Sequence, residues 1–382
     1  MRLIRVLVSS AMASLLCFAC AFAQKETIKI GAIFSITGPA AFLGAPEAKT
    51  AQMLVDEINA KGGINGHKLD LRIKDSGGNP EKAISFAKQL IEEDKVFAII
   101  GPSTSGESIK IKNICEEGKT ILLSCAAAEL IVNPVAKYVF KTPQKDSDAA
   151  RQIFATMKKM NISKIAVMSS NTGFGAAGKD QLEKIAPEYG IRILISEVYD
   201  KEATDLTSAV TKIKAANPQA IVNWSIEPAQ SIVAKNIRQM GLAIPLFQSH
   251  GFGNIRYVKE AGAAAEGIIF PCGRLLVADV LPAKDPQKAV LMKYKKDFET
   301  KFKEDASTFG GHAYDAVMIL AEAIKQAGAD KEKARAGIEN LKGFVGTAGV
   351  FNLSAADHNG LTSDAFAMLT VKDGKFALYP AK

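Results

Sequence analysis

Short apolar runs of strand length alternate with longer stretches of helical spacing through most of this chain, and the joints between them are only a few residues long. That alternation leaves few folds open. A strand, a crossover helix and a second parallel strand return to one sheet, so repeated βα units build doubly wound parallel sheets. Thr27–Phe34 reads as a strand, and Pro46–Ala60 as a helix turning Ala48, Ala51, Val55 and Ile58 inward, stopped by Gly62-Gly63. Leu69–Lys74 alternates as a strand, and Asn79-Pro80 supplies a cap and a first-turn proline for the helix that follows. Strands at Val96–Ile100 and Thr120–Ser124 complete one unit around a helix from about Ser105. A second unit runs from about Asp148, with strands at Lys164–Ser169, Ile191–Val198, Ala220–Trp224 and Pro245–Gln248.

Ligands of such sheets sit beyond the carboxyl ends of the strands. The turn after Ile100, Gly101-Pro102-Ser103-Thr104-Ser105-Gly106, falls at such an end and opens a helix. Free N–H groups and the positive end of a helix dipole suit a small anion there. Ordinary N-capping by a hydroxyl accounts for the same residues.

The first 23 residues carry Arg2 and Arg5, an apolar stretch from Val6, and Ala21-Phe22-Ala23, which reads as an export signal cleaved before Gln24. The chain is therefore expected outside the cytoplasm, in the periplasm or beyond. Its 382 residues exceed what one core sustains, about 250–300, so two domains are expected. The formal charge of +8 is interleaved with acids along the chain, which describes solvated surface and not a nucleic-acid patch. Three cysteines follow the leader, Cys115, Cys125 and Cys272, an odd number that points to buried thiols and not to a disulfide framework.

The segments Thr27–Thr37 with Gly38-Pro39, Ile58–Gly66, Asp75–Pro80, the Gly101 turn, Ala313-Tyr314-Asp315-Ala316 and Gly346-Thr347-Ala348-Gly349 resemble, in order, the branched-chain amino acid class of periplasmic binding proteins. The resemblance implies an α/β fold of the type I class: two doubly wound parallel-sheet lobes joined by a three-segment hinge, closing on a ligand that a membrane permease of an ABC importer then receives. It places the crossovers near Lys141–Lys145, Pro271–Arg274 and Phe344–Gly349. Residues 24–143 and 275–345 then form the N-terminal lobe, and 144–274 and 346–382 the C-terminal lobe. A monomer without cofactor, metal or nucleic-acid partner is implied.

Carried over position by position, the resemblance puts the ligand's carboxylate and ammonium against Ser105 and the run Ala126-Ala127-Ala128, where the family's hydroxyl is missing at Ala128. Leu43, Phe174 and Ile226 stand where the family has aromatic contacts, and His250 stands where it has the glutamate that pairs the ammonium. A buried ammonium without an acid is costly, and histidine offers at most one acceptor when neutral. The expected ligand is therefore a small hydrophobic carboxylate without the ammonium, an aromatic or branched oxo or hydroxy acid. A slipped register would return the acid to Glu227 or Glu260, and with it leucine-type amino acids. Trp224 is either a wall of the site or core.

Gly173-Phe174-Gly175-Ala176-Ala177-Gly178 also fits a dinucleotide fingerprint, with Glu197 beyond it, and by pattern alone suggests a nicotinamide-dependent oxidoreductase. Export and the family match argue against that. His67, His250, His312 and His358 lack metal-ligand spacing, and His312 and His358 read as surface or cap residues. No nucleophile or metalloprotease motif appears, so a non-enzyme is expected. A sensor that presents its ligand-closed surface to a chemoreceptor is the alternative use of the same fold.

Overall fold

The computed structural model describes residues 25–380; the expected leader lies outside them. The strands are β1 Lys25–Phe34, β2 His67–Asp75, β3 Ala98–Ile100, β4 Ile121–Ser124, β5 Val139–Lys141, β6 Lys164–Ser170, β7 Arg192–Tyr199, β8 Ala220–Trp224, β9 Leu246–Gln248, β10 Ile269–Gly273, β11 Phe344–Val345, β12 Val350–Phe351, β13 Phe366–Lys372 and β14 Lys375–Leu378. The helices are α1 Ala41–Ala60, α2 Pro80–Lys88, α3 Ser105–Glu117, α4 Asp146–Lys159, α5 Gly173–Ile185, α6 Thr207–Ala216, α7 Ala229–Gln239, α8 Ile255–Ala261, α9 Lys288–Phe302, α10 Thr308–Ala327 and α11 Lys331–Glu339.

Two sheets form. The first has the order β2-β1-β3-β4-β5, parallel throughout. The second has the order β14-β13-β10-β9-β8-β6-β7, parallel from β10 to β7. Its strands β6, β8 and β9 bury nearly every side chain, as a sheet covered on both faces requires. The second sheet is not wholly parallel, because β13 runs antiparallel to β10 and β14 antiparallel to β13. The reversal of β14 is local: Asp373 and Gly374 take φ of 52° and 68°, the paired left-handed conformation of a two-residue hairpin.

Helix ends follow their sequence signals. Asn79 accepts from the N–H groups of Glu81 and Lys82, and Thr104 forms a capping box with Glu107. Helix α1 differs from expectation, beginning at Ala41, five residues before Pro46. Proline has no N–H to give the carbonyl four residues back, so the oxygen of Phe42 is left without its helical partner.

The chain passes between the sheets three times. The third passage is not at Phe344–Gly349. Gly346 to Gly349 is the turn of the β11–β12 hairpin, closed by the Gly346 N–H on the Gly349 oxygen. The Asp315 carboxylate fastens that turn, accepting from Thr347 N at 2.6 Å and Ala348 N at 2.8 Å. Phe351, Leu353, Leu361 and Ala365 pack into the core of the first sheet, and the chain joins the second only at Phe366. The expectation that all residues after 345 belong to the C-terminal lobe is corrected accordingly.

Candidate functional site

The polar turns beyond the carboxyl ends of β3, β4, β6, β8 and β9 face one another across the gap between the sheets, where a doubly wound fold places its ligand. They enclose an inner cavity with about 20 Å³ of free space in this closed arrangement, lined by Leu43, Ser105, Ala126, Ala127, Phe174, Ile226 and His250 among others. That space holds about one water, so a larger occupant enters only as the lobes part. The cavity opens outward into a cleft of about 260 Å³ that shares Ser105, Phe174 and Ile226 with it.

Seven of the eight residues singled out from the sequence thus meet at one cavity. Ala128 does not; it is buried in the first lobe with Ile131 and Val139, and its N–H donates to Ser105 Oγ at 3.2 Å. The Ser105 hydroxyl therefore accepts from within its own lobe, which leaves its proton for a carboxylate in the cavity. The Ala126 N–H is likewise engaged, donating to Ser124 Oγ at 3.1 Å.

His250 opens a short turn after β9, capped by Ser249. Its ring is met edge-on by Phe174, Trp224 and Phe366 at centroid distances of 5.4, 5.7 and 5.6 Å. Burial, then the Lys141 ammonium and His312, push its pKa well below the usual imidazole value, so it is neutral. Trp224 is fully buried behind His250 and Phe174, as core. Neither alternative acid lines the inner cavity. Glu227 lines the outer cleft and accepts from Ser225 Oγ and the Ile226 N–H, while Glu260 is exposed on α8.

His312, Phe309, Ser103, Pro143, Cys125 and Gly251 also line the cavity and escaped the sequence reading. His312 is not a surface residue: it sits in the first turns of α10, and burial followed by Lys141 pushes its pKa down to about 3. His358 is also buried, stacked on Phe140 with its centroid 4.1 Å away, and belongs to the core. Cys115, Cys125 and Cys272 are free buried thiols, and burial raises each pKa.

Beneath the cavity lies a buried ionic group. Lys141 Nζ donates to the oxygens of Ala127, Pro143 and Gln144 at 2.8, 3.1 and 3.0 Å, using all three protons of an ammonium. Asp146, the first residue of α4, is wholly buried, and burial raises its pKa to about 7 against the opposing pull of Lys141.

The glycines of the dinucleotide-like pattern serve close packing. A Cβ on Gly175 would meet the Ser170 oxygen at 2.0 Å, and one on Gly178 the Trp224 indole at 2.0 Å. One on Gly173 would lie 2.8 Å from Gly106 of the other lobe. Among the described residues, no cluster of three or more His, Cys, Asp or Glu is placed to hold a metal, and no helix is long and apolar enough to cross a membrane.

Comparison with known proteins agrees with the architecture. The family model described as periplasmic binding protein matches residues 27–375. The leucine-, isoleucine-, valine-, threonine- and alanine-binding protein of Pseudomonas aeruginosa is 27% identical over 81% of this chain and 81% of its own. Among solved structures, an extracellular ligand-binding receptor from Rhodopseudomonas palustris superposes with a TM-score of 0.87 at 28% identity, covering 92% of this chain and 99% of the receptor. A branched-chain amino acid transporter substrate binding protein from Streptococcus pneumoniae, solved with isoleucine, gives 0.81 at 28% identity over 92% of this chain and 97% of its own.

Proposed function

The chain belongs to the periplasmic binding protein family, and from that premise we propose that it captures a small hydrophobic carboxylate lacking an α-ammonium and hands it to the permease of an ABC importer. It is a solute-binding protein of the branched-chain amino acid type and not an enzyme. In this reading it works in the periplasm after loss of residues 1–23, as a monomer, without a cofactor, and closes around its ligand by hinge motion.

One observation carries the choice of ligand. His250, neutral and boxed by aromatic rings, stands at the cavity wall where the resemblance expects an acid. An ammonium enclosed there would have no ionised partner on the cavity wall and would face the Lys141 cation that holds the Ala127 oxygen from beneath. A carboxylate is served by the Ser105 hydroxyl and the start of α3, and Leu43, Phe174, Ile226 and Phe309 suit an apolar body. Isoleucine in the Streptococcus protein indicates the size class.

A thermal-shift screen of ligand-stripped protein tests this, with leucine, valine and phenylalanine each beside its 2-oxo and 2-hydroxy analogues, and benzoate and phenylacetate added. The acids raise the melting temperature and the amino acids do not. Stabilisation by leucine or valine alone would return the protein to ordinary branched-chain specificity. In the same screen His250→Glu moves the preference towards amino acids.

A further inference from the structure

We propose that Asp146 sets the tautomer of His250 and thereby selects, among the carboxylates inferred above, those that carry a hydroxyl beside the carboxylate over those that carry an oxo group. The two residues come from different elements, Asp146 at the start of α4 and His250 at the turn after β9. His250 Nε2 lies 3.5 Å from Asp146 Oδ1. Among the described residues, both Asp146 oxygens and both His250 ring nitrogens lack a hydrogen-bond partner. Buried polar groups left this way are rare, and each is expected to find a counterpart.

The charges around the pair fix its polarity. Lys141 is an ammonium, since its Nζ donates to three carbonyl oxygens. It is a cation acting on Asp146 in a dry interior, with Glu129 as the other charged group there, and on His250, where His312 is the further titratable neighbour. A buried cation is held by a buried anion, which favours Asp146 as carboxylate. A carboxylate only accepts, so the ring nitrogen nearest it, Nε2, must carry the proton. A neutral imidazole has one proton to place. Nδ1 is then bare, and it is the nitrogen left for whatever occupies the cavity that His250 lines.

A bare nitrogen in a closed cavity needs a donor. A hydroxyl supplies one; an oxo oxygen would set lone pair against lone pair and leave Nδ1 buried and unsatisfied. An ammonium would also donate, but it would bring a full charge towards Lys141. Asp146 is in this account a positioning residue, acting on the ligand only through the imidazole. The inference rests on the proposed ligand class, and the test below separates the failure of each.

The only tryptophan, Trp224, lies edge-on to His250, so intrinsic fluorescence reads the site directly. Three acids with leucine's carbon skeleton are titrated into the full-length mature protein at a pH between the raised pKa of Asp146, about 7, and the lowered one of Lys141, about 8: the 2-hydroxy acid, the 2-oxo acid and the acid with neither group. The hydroxy acid binds about tenfold tighter than the oxo acid, the worth of one satisfied buried acceptor. In Asp146→Asn, whose amide accepts either tautomer, the ratio falls to within about threefold. Equal or tighter binding of the oxo acid by the wild type overturns the inference, as does a ratio unchanged in the variant. Should Asp146→Asn not fold, the wild-type ratio decides alone. If none of the three acids binds, the proposed ligand class falls first and the inference with it.

Discussion

Asn254, at the start of α8 in one lobe, donates its Nδ2 to the carbonyl oxygen of Phe42 in α1 of the other, at 3.2 Å. The acceptor is the oxygen that Pro46 leaves without a helical donor, so closing the lobes supplies the bond the helix lacks. The same contact seats the Phe42 ring against Tyr257 and beneath Arg256. Asn254→Asp keeps the oxygen that caps α8 on the Arg256 N–H but removes the donor. Ligand affinity then falls about tenfold, the scale of one net hydrogen bond plus a facing oxygen, with the unliganded melting temperature unchanged. Calorimetric titration and a melting curve on one preparation check both halves.

Gly173 and Gly106 allow a second test of closure. A methyl on Gly173 would stand 2.8 Å from the backbone of Gly106, a contact that exists only when the lobes meet, whereas one on Gly106 finds nothing nearer than 4.0 Å. Gly173→Ala therefore weakens ligand binding by about tenfold or more, through overpacking of the closed state worth about 1–3 kcal/mol, and Gly106→Ala stays close to wild type. Small-angle scattering with saturating ligand reports the reduced closure of Gly173→Ala. Equal effects of the two variants would remove the glycine contact from the closed state.

Ser105 is expected to matter to both ligand and lobe. Ser105→Ala removes the hydroxyl offered to the carboxylate and weakens any carboxylate ligand by about 1–3 kcal/mol. It also strips the Ala128 N–H of its acceptor, which lowers stability by about 1 kcal/mol. A variant that melts earlier but binds as wild type would confine Ser105 to the second role.

His312 imposes a pH dependence whose sign is set by burial. Its pKa is near 3 in the folded protein against an ordinary 6.5, so between these values the unfolded chain binds a proton that the folded one refuses. Stability from this residue is complete above pH 6.5 and is lost as pH falls towards 3, by about 1.4 kcal/mol per pH unit. His312→Leu abolishes that component. The stability of wild type minus variant, from urea unfolding at a series of pH values, falls as the pH is lowered from 6.5 and is flat above it.

The βα frame was legible because its signals are short-range. The buried run at β8 and the caps at Asn79 and Thr104 are read within a few residues of themselves. So was the convergence of Ser105, Phe174, Ile226 and His250, since each follows the carboxyl end of a strand. What stayed hidden depends on partners far along the chain. Gly346-Thr347-Ala348-Gly349 reads as a flexible joint until Asp315, some thirty residues earlier, is seen to hold its amides. His312 reads as a helix-start residue because nothing near it in sequence tells that this end of α10 meets the cavity. The antiparallel edge has a local signal in Asp373-Gly374 that the reading of the sequence passed over.

Cys125 lines the inner cavity and is almost wholly shielded when the lobes are together. A sulfur in that position turns the opening motion into a chemical clock. Each excursion to the open form exposes one thiol to an alkylating reagent, while Cys115, packed inside the first lobe, reacts only on unfolding. The natural chain thus carries its own reporter of how often the cleft opens and an internal standard for the integrity of the lobe, with no probe to be engineered.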